Sequence, residues 1–214
     1  MKKVFLSTIV FVVTMAVSAQ SEKFTAAIKK NLASMDTAFS NPANVLIAAN
    51  NFERIAVAEK NQWLPYYYAA FCEVNYAFMQ AADKDKIDGI ADKATALIAV
   101  ADSLSPKNSE ISCVKSMIAS AHLLVNPQQR WQQYGKESSG YLDAAVQQDP
   151  TNPRPYFLKG QSLKYTPEQF GGGCKTAKPE FQTALDKYEA FKPASDISPT
   201  WGKEYVVKLM ADCK

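Results

Sequence analysis

Glycine is scarce in this chain, 8 residues in 214, and histidine is almost missing, with His122 standing alone. Few glycines and frequent alanine pairs (Ala48-Ala49, Ala69-Ala70, Ala81-Ala82, Ala144-Ala145) favour helix, and no alternating strand pattern of useful length occurs. One histidine, set mid-helix among Ala121, Leu123 and Leu124, excludes a histidine cluster for a metal. No Cys-x-x-Cys spacing exists, and no cysteine precedes Cys72 to take the lipid of a bacterial lipoprotein. No serine lies in a nucleophile-elbow setting, so no catalytic residue is assigned, no cofactor or metal is expected, and an enzyme is not. Charge of one sign is lacking too: without residues 1–19, which hold Lys2 and Lys3, 22 basic residues face 21 acidic ones. That balance gives no case for nucleic acid or an anionic membrane as partner. No Ser/Gly-rich linker divides the chain, so one domain is expected.

Residues 1–19 read as a cleavable export signal. Lys2-Lys3 starts it, Val4 to Val13 is its apolar stretch, and Val17-Ser18-Ala19 is its cleavage site, so the mature chain begins at Gln20. The stretch is short for a bilayer and interrupted by Ser7 and Thr8, which disfavours a retained anchor. A periplasmic or secreted protein with no stable membrane insertion is expected. Beyond the signal, Asn41-Pro42, Asn126-Pro127 and Asn152-Pro153 each place a capping residue before a proline at a helix start. Helices are predicted near 21–38, 42–59, 62–82, 86–104, 108–125, 128–148, 153–165, 175–191 and 200–213. Short connections make neighbours antiparallel.

One pattern returns four times: a small or polar residue, a large apolar one four places on, a small or aliphatic one three further, and a helix end five beyond. The copies are Ala48, Phe52, Ile55, Lys60; Ala94, Ile98, Ala101, Pro106; Ser138, Leu142, Ala145, Pro150; and Ala177, Phe181, Ala184, Glu189. Offsets of four and three hold these residues on one helical face, where small members let a neighbouring helix approach. The pattern resembles the second helix of the tetratricopeptide repeat. The first helix of the following repeat then matches as Tyr66 with Ala70, Ser112 with Ser116, and Tyr156 with Gly160. Two departures stand out: Ser112 replaces an aromatic, and the copies are 46, 44 and 39 residues apart where the family has about 34. The resemblance implies an all-α fold, antiparallel hairpins stacked as a right-handed solenoid over 20–199 and closed by a capping helix in 200–214. An ordinary helical bundle is the alternative arrangement.

The resemblance also implies a concave groove for a protein or peptide, lined by Tyr67, Phe71, Asn75, Glu110, Met117, Arg154, Phe157, Gln161 and Lys164. Aromatics would give rigid contact, amides would bond a backbone and the cations would meet a carboxylate. Of Tyr66-Tyr67-Tyr68, Tyr67 is expected to be the exposed one, while Trp131 and Tyr134 are expected in the core. An antiparallel pairing of the last two long helices brings Cys174 near Cys213, and a disulfide there is favoured over two free thiols; Cys72 and Cys113 read as small buried hydrophobes. Gly171-Gly172-Gly173-Cys174-Lys175-Thr176 fails the spacing of a phosphate loop and reads as a flexible turn able to hold an anion weakly. The function expected is a non-catalytic binding scaffold of the bacterial envelope. Its rivals are a structural subunit of an envelope complex and, last, a hydrolase using groove carboxylates, of which the mapped positions offer only Glu110.

Overall fold

The computed structural model of the chain describes residues 22–35 and 37–213. The expected export signal lies outside them. Helices account for the fold and the described residues contain no strand. In chain order they are α1 (22–35), α2 (Pro42–Ala58), α3 (Trp63–Met79), α4 (Lys84–Leu104), α5 (Ser109–Val125), α6 (Pro127–Arg130), α7 (Lys136–Gln148), α8 (Arg154–Tyr165), α9 (Cys174–Ala190) and α10 (Lys203–Asp212). A π turn, Trp131–Gly135, links α6 to α7, and a short 3-10 turn, Glu168–Phe170, follows α8. No described helix is long and apolar enough to cross a membrane.

Successive helices from α2 to α5 pack on each other across turns of four residues, which forces them antiparallel. Further on, α5 packs on α7, α7 on α8, α8 on α9 and α9 on α10; α3 also touches α5, and α5 touches α8. Small side chains make this spacing possible. Ala48, Ala94, Ala101, Ala145, Ala177 and Ala184 are all buried, as are the large partners Phe52, Ile98, Leu142 and Phe181, while Ile55 is only half-buried. Ala70 and Ser116 are buried too, and at Gly160 a Cβ would stand 2.6 Å from Cδ1 of Phe181, so α8 and α9 meet where only hydrogen fits.

The serine that replaces an aromatic belongs to a polar row along α5. Ser109 donates to the Ala145 carbonyl at 2.9 Å, Ser112 to Gln148 Oε1 at 2.8 Å, and Ser116 shares a hydrogen bond with Ser138 at 2.8 Å. Residues 109, 112 and 116 fall on one face, so α5 is fastened to α7 by hydroxyls where its neighbours use rings. The caps follow the sequence. Asn41 accepts from the Ala43 N–H and Asn126 from the Gln129 N–H, while Asn152 accepts from the Arg154 N–H although the helix starts one residue past the expected Pro153.

Several expectations need correction. The predicted helix 128–148 starts at Pro127 and carries the π turn inside it. The added residue rotates Tyr134 onto the His122 ring (centroids 4.9 Å apart, 18° between planes) and leaves Trp131 outside the core, 55% exposed. The glycine run is not a slack turn, since a Cβ at Gly172 would stand 2.0 Å from the Thr166 carbonyl oxygen and Gly173 has φ 90°. Its N–H groups are also spent, Gly171 on Glu168, Gly172 on Pro167 and Gly173 on Leu163, which removes the expected anion donors from the glycines. Cys174 is bonded to Cys213, which ties the start of α9 to the end of α10, and Cys72 and Cys113 are free and buried.

Candidate functional site

The face shared by α3, α5 and α8 carries most of the residues expected to line a groove, and the chain covers it itself. Residues 191–202, between α9 and α10, run across it as an irregular strap. Three side chains, one each from α3, α8 and α9, grip the strap by its backbone. Tyr68 Oη donates to the Ile197 carbonyl at 2.8 Å, Arg154 Nη2 to the Pro199 carbonyl at 2.6 Å, and Tyr188 Oη to the Trp201 carbonyl at 2.9 Å. Trp201 then seats its ring on Phe71, centroids 4.7 Å apart, and donates Nε1 to Tyr67 Oη at 2.8 Å. At the far turn, Lys29 of α1 meets Asp196 at 2.6 Å on the surface. Gly202 ends the strap at φ 114°, with Tyr188 Oη standing where a Cβ would be.

Beneath the strap lies a buried polar network in which Arg154 Nε alone is left without an acceptor. Arg154 is 0% exposed; its Nη1 donates to Glu110 Oε1 at 2.8 Å, and its guanidinium lies 4.8 Å from the Phe191 ring and 5.1 Å from the Trp201 ring. Asn152 Nδ2 donates to the same Glu110 oxygen at 2.8 Å, and Tyr67 Oη to Oε2 at 3.2 Å. Burial pushes the Glu110 carboxyl above the ordinary carboxylate range against the opposing pull of Arg154, Tyr67 and Asn152. Burial likewise opposes the Arg154 charge, and Glu110 with Tyr67, Tyr188 and Cys113 together outweigh it, holding the guanidinium above its ordinary value. Tyr67 is driven far up by burial and then by Glu110, so its phenol stays protonated and able to donate. Three donors, an arginine, an amide and a phenol, thus hold the Glu110 carboxylate in place beneath the strap.

The expected groove residues therefore divide. Tyr67, Phe71, Glu110, Arg154 and Phe157 are drawn together under or beside the strap, and Tyr67, expected on the surface, is fully buried there. Met117 is buried in the core cluster. Asn75 and Gln161 remain half-buried, Asn75 giving its Nδ2 to the Phe71 carbonyl, and Lys164 reaches the Leu209 carbonyl and Asp212. Two open aromatics lie at the other end of α8: Tyr165 is 66% exposed, and Tyr205 on α10 is 45% exposed with its ring edge against Phe157. Tyr205 titrates higher than an ordinary tyrosine, through burial and then the neighbouring Tyr165 and Asp212, so the two phenols sit within electrostatic reach of each other.

The solved structure of the HusA haemophore from Porphyromonas gingivalis superposes on this chain with a TM-score of 0.79 and 38% sequence identity, covering 89% of this chain and 92% of that one. The chain belongs to that haemophore's family. No family model matches the sequence, and no curated protein does.

Sequence reasoning missed two features in this relative of the haemophore. The first is the strap: the predicted helices 175–191 and 200–213 left only 192–199 between them, the last helix starts at Lys203 instead, and no local signal says which face such a segment covers. The second is a cluster at the outer end of α5. His122 Nδ1 is 2.8 Å from Asp88 Oδ1, Arg130 grips both Asp88 oxygens at 2.7 and 2.9 Å, and the guanidinium holds the Asp88 carboxyl down at about 2, helped by His122. The three residues come from α4, α5 and α6, separated by up to 42 positions, and no spacing rule joins them.

Proposed function

We propose that this chain is a non-catalytic carrier of the bacterial cell envelope, periplasmic or secreted, whose cargo is haem or a closely related porphyrin. The carrying observation is the 38% identity across 92% of a haemophore's length. In this reading the fold is a tetratricopeptide-like right-handed solenoid. Its first-helix layer is α3, α5 and α8 and α10 closes its end, an arrangement supported by the α3–α5 and α5–α8 contacts and by the buried small residues. The open end of that layer suits a flat amphipathic ligand. Tyr165 and Tyr205 offer aromatic faces to a macrocycle, and the exposed Lys208, three residues beyond Tyr205 on the same helix side, offers a cation to its carboxylates. Titrating haem into the mature protein and following the Soret absorbance tests this. Saturable binding is expected, weakened at least about tenfold, roughly 1.4 kcal/mol, in a Tyr165→Ala, Tyr205→Ala double variant. Absence of saturable binding ends the cargo reading, and equal binding by the variant moves the site elsewhere.

A second reading, a polypeptide bound along the same layer through Tyr67, Phe71, Asn75, Glu110, Met117, Arg154, Phe157, Gln161 and Lys164, draws support from one observation. The layer already holds an irregular segment through two backbone carbonyls, those of Ile197 and Pro199. Because the strap covers Tyr67 and Phe157, substitutions there would disturb the fold. Asn75→Ala with Gln161→Ala is the informative pair, and unchanged recovery of envelope proteins by that variant would exclude this reading.

A further inference from the structure

On the other side of α3 from the strap network, α2, α3 and α4 leave an open depression of about 420 Å³, with Leu46, Tyr76 and Ile90 as its apolar walls. Two features of its lining are ones that packing does not call for. Glu73, set in the apolar helix α3, is buried at 2% exposure, and Lys93 is the one cation that meets its Oε1 among the described residues. Lys93 Nζ stands 2.7 Å from that oxygen as an ion pair and reaches Glu53 Oε2 at 2.9 Å as well, so one ammonium serves two carboxylates. A carboxylate taken out of water and left incompletely bonded is costly, and an apolar residue would build α3 better. The second feature is Gly89, inside α4, where a glycine weakens a helix relative to alanine. A Cβ added there would meet nothing within 4 Å, so no neighbour demands the glycine, and its bareness keeps the depression open.

The charge around the depression has a sign. Glu53, Glu73, Asp83 and Asp85 surround two ammonium groups, and Lys86 is already paired with Asp83 at 2.6 Å. Glu53 and Glu73 share the single Lys93, whose side chain is 40% exposed and enters from solvent. We propose that this depression binds an organic cation, a guanidinium or primary ammonium on a short apolar stem. The charged end takes the Glu73 carboxylate while Lys93 keeps Glu53, and the stem lies over Gly89 between Leu46 and Ile90 with the Tyr76 ring beside it. The site is separate from the haem reading, which neither supports it nor depends on it.

Isothermal titration calorimetry of the full mature chain with n-butylguanidinium tests the proposal, with pentanoate as the anion of equal stem. Saturable binding of the cation below about 1 mM, and none of pentanoate, is expected. Glu73→Gln and Gly89→Leu each weaken it at least about tenfold. Gly89→Ala raises the thermal midpoint, by about 2–4 °C, because the glycine has no packing duty. A capped arginine peptide run beside butylguanidinium separates the sources. Binding of both points to a side chain of a polypeptide, and binding of butylguanidinium alone points to a free small cation. No heat of binding up to about 10 mM, equal binding of pentanoate, undiminished binding by the folded Gly89→Leu variant, or a lowered midpoint in Gly89→Ala overturns the site.

Discussion

Replacing Arg154 by Met should damage this protein more than any other single change on the α3–α5–α8 face. The guanidinium is fully buried and serves two masters, the Glu110 carboxylate at 2.8 Å and the Pro199 carbonyl at 2.6 Å. Met fills much of the volume, so the loss is electrostatic: Glu110 stays buried with only Asn152 and Tyr67 for company, and a strap carbonyl loses its donor. Breaking a buried pair from one side costs about 3–5 kcal/mol, and in a chain of this size each kcal/mol moves the midpoint about 2–4 °C, so a fall of about 6–20 °C is expected. Urea unfolding followed by tryptophan fluorescence reads both stability and the strap, because Trp201 reports its own seat between Phe71 and Phe157. Adding Glu110→Gln to Arg154→Met removes the orphaned charge. The double variant should recover stability, leaving a coupling of at least about 1 kcal/mol in the mutant cycle. A loss below about 1 kcal/mol in the single variant, or strict additivity in the cycle, would refute the claim that Arg154 holds the strap by way of a buried ion pair.

Gly160→Ala should lower the thermal midpoint although alanine is the better helix former, because its Cβ would stand 2.6 Å from Phe181; overpacking of this kind costs about 1–3 kcal/mol, and a raised midpoint would count against the close α8–α9 contact. Opening the Cys174–Cys213 bridge with paired serines releases a loop of 39 residues, for which the chain-entropy estimate gives about 4 kcal/mol, measured as a loss of unfolding free energy in urea. Asp88 makes a pH prediction. Its carboxyl is held at about 2 in the folded protein against 3.8 ordinarily, so its contribution is present above about pH 4 and is lost as pH falls through about 2. The carboxylate is over a third exposed, which screens the contribution to about 1 kcal/mol. Asp88→Asn should therefore cost that much at neutral pH and flatten the acid limb, and an unchanged acid limb would show the Arg130 pair to be inert.

Some of this architecture was legible residue by residue. Asn41 and Asn126 announce their helix starts because a side-chain oxygen two or three residues from a free N–H is a local affair. The alanine and aromatic rows at offsets of four and three told which face of each helix is buried, because helical periodicity maps sequence directly onto a face. The proximity of Cys174 and Cys213 also needed only the direction of two neighbouring helices. The site was less legible. Tyr67 belongs to the face the periodicity indicated, yet it lies under cover, because the periodicity of α3 carries no information about a strap more than 120 residues later.

What the sequence determined by itself was helix, its ends and its buried faces, all consequences of interactions within a few residues of chain. What only the tertiary structure decided was occupancy. Residues 191–202 close over the α3–α5–α8 face, the π turn carries Tyr134 to His122, and Glu73 lies buried beside a helix glycine that nothing presses upon. Each depends on groups far apart in sequence meeting in space, where burial, charge and the room left by a neighbour set the energy, and no local pattern encodes such a meeting.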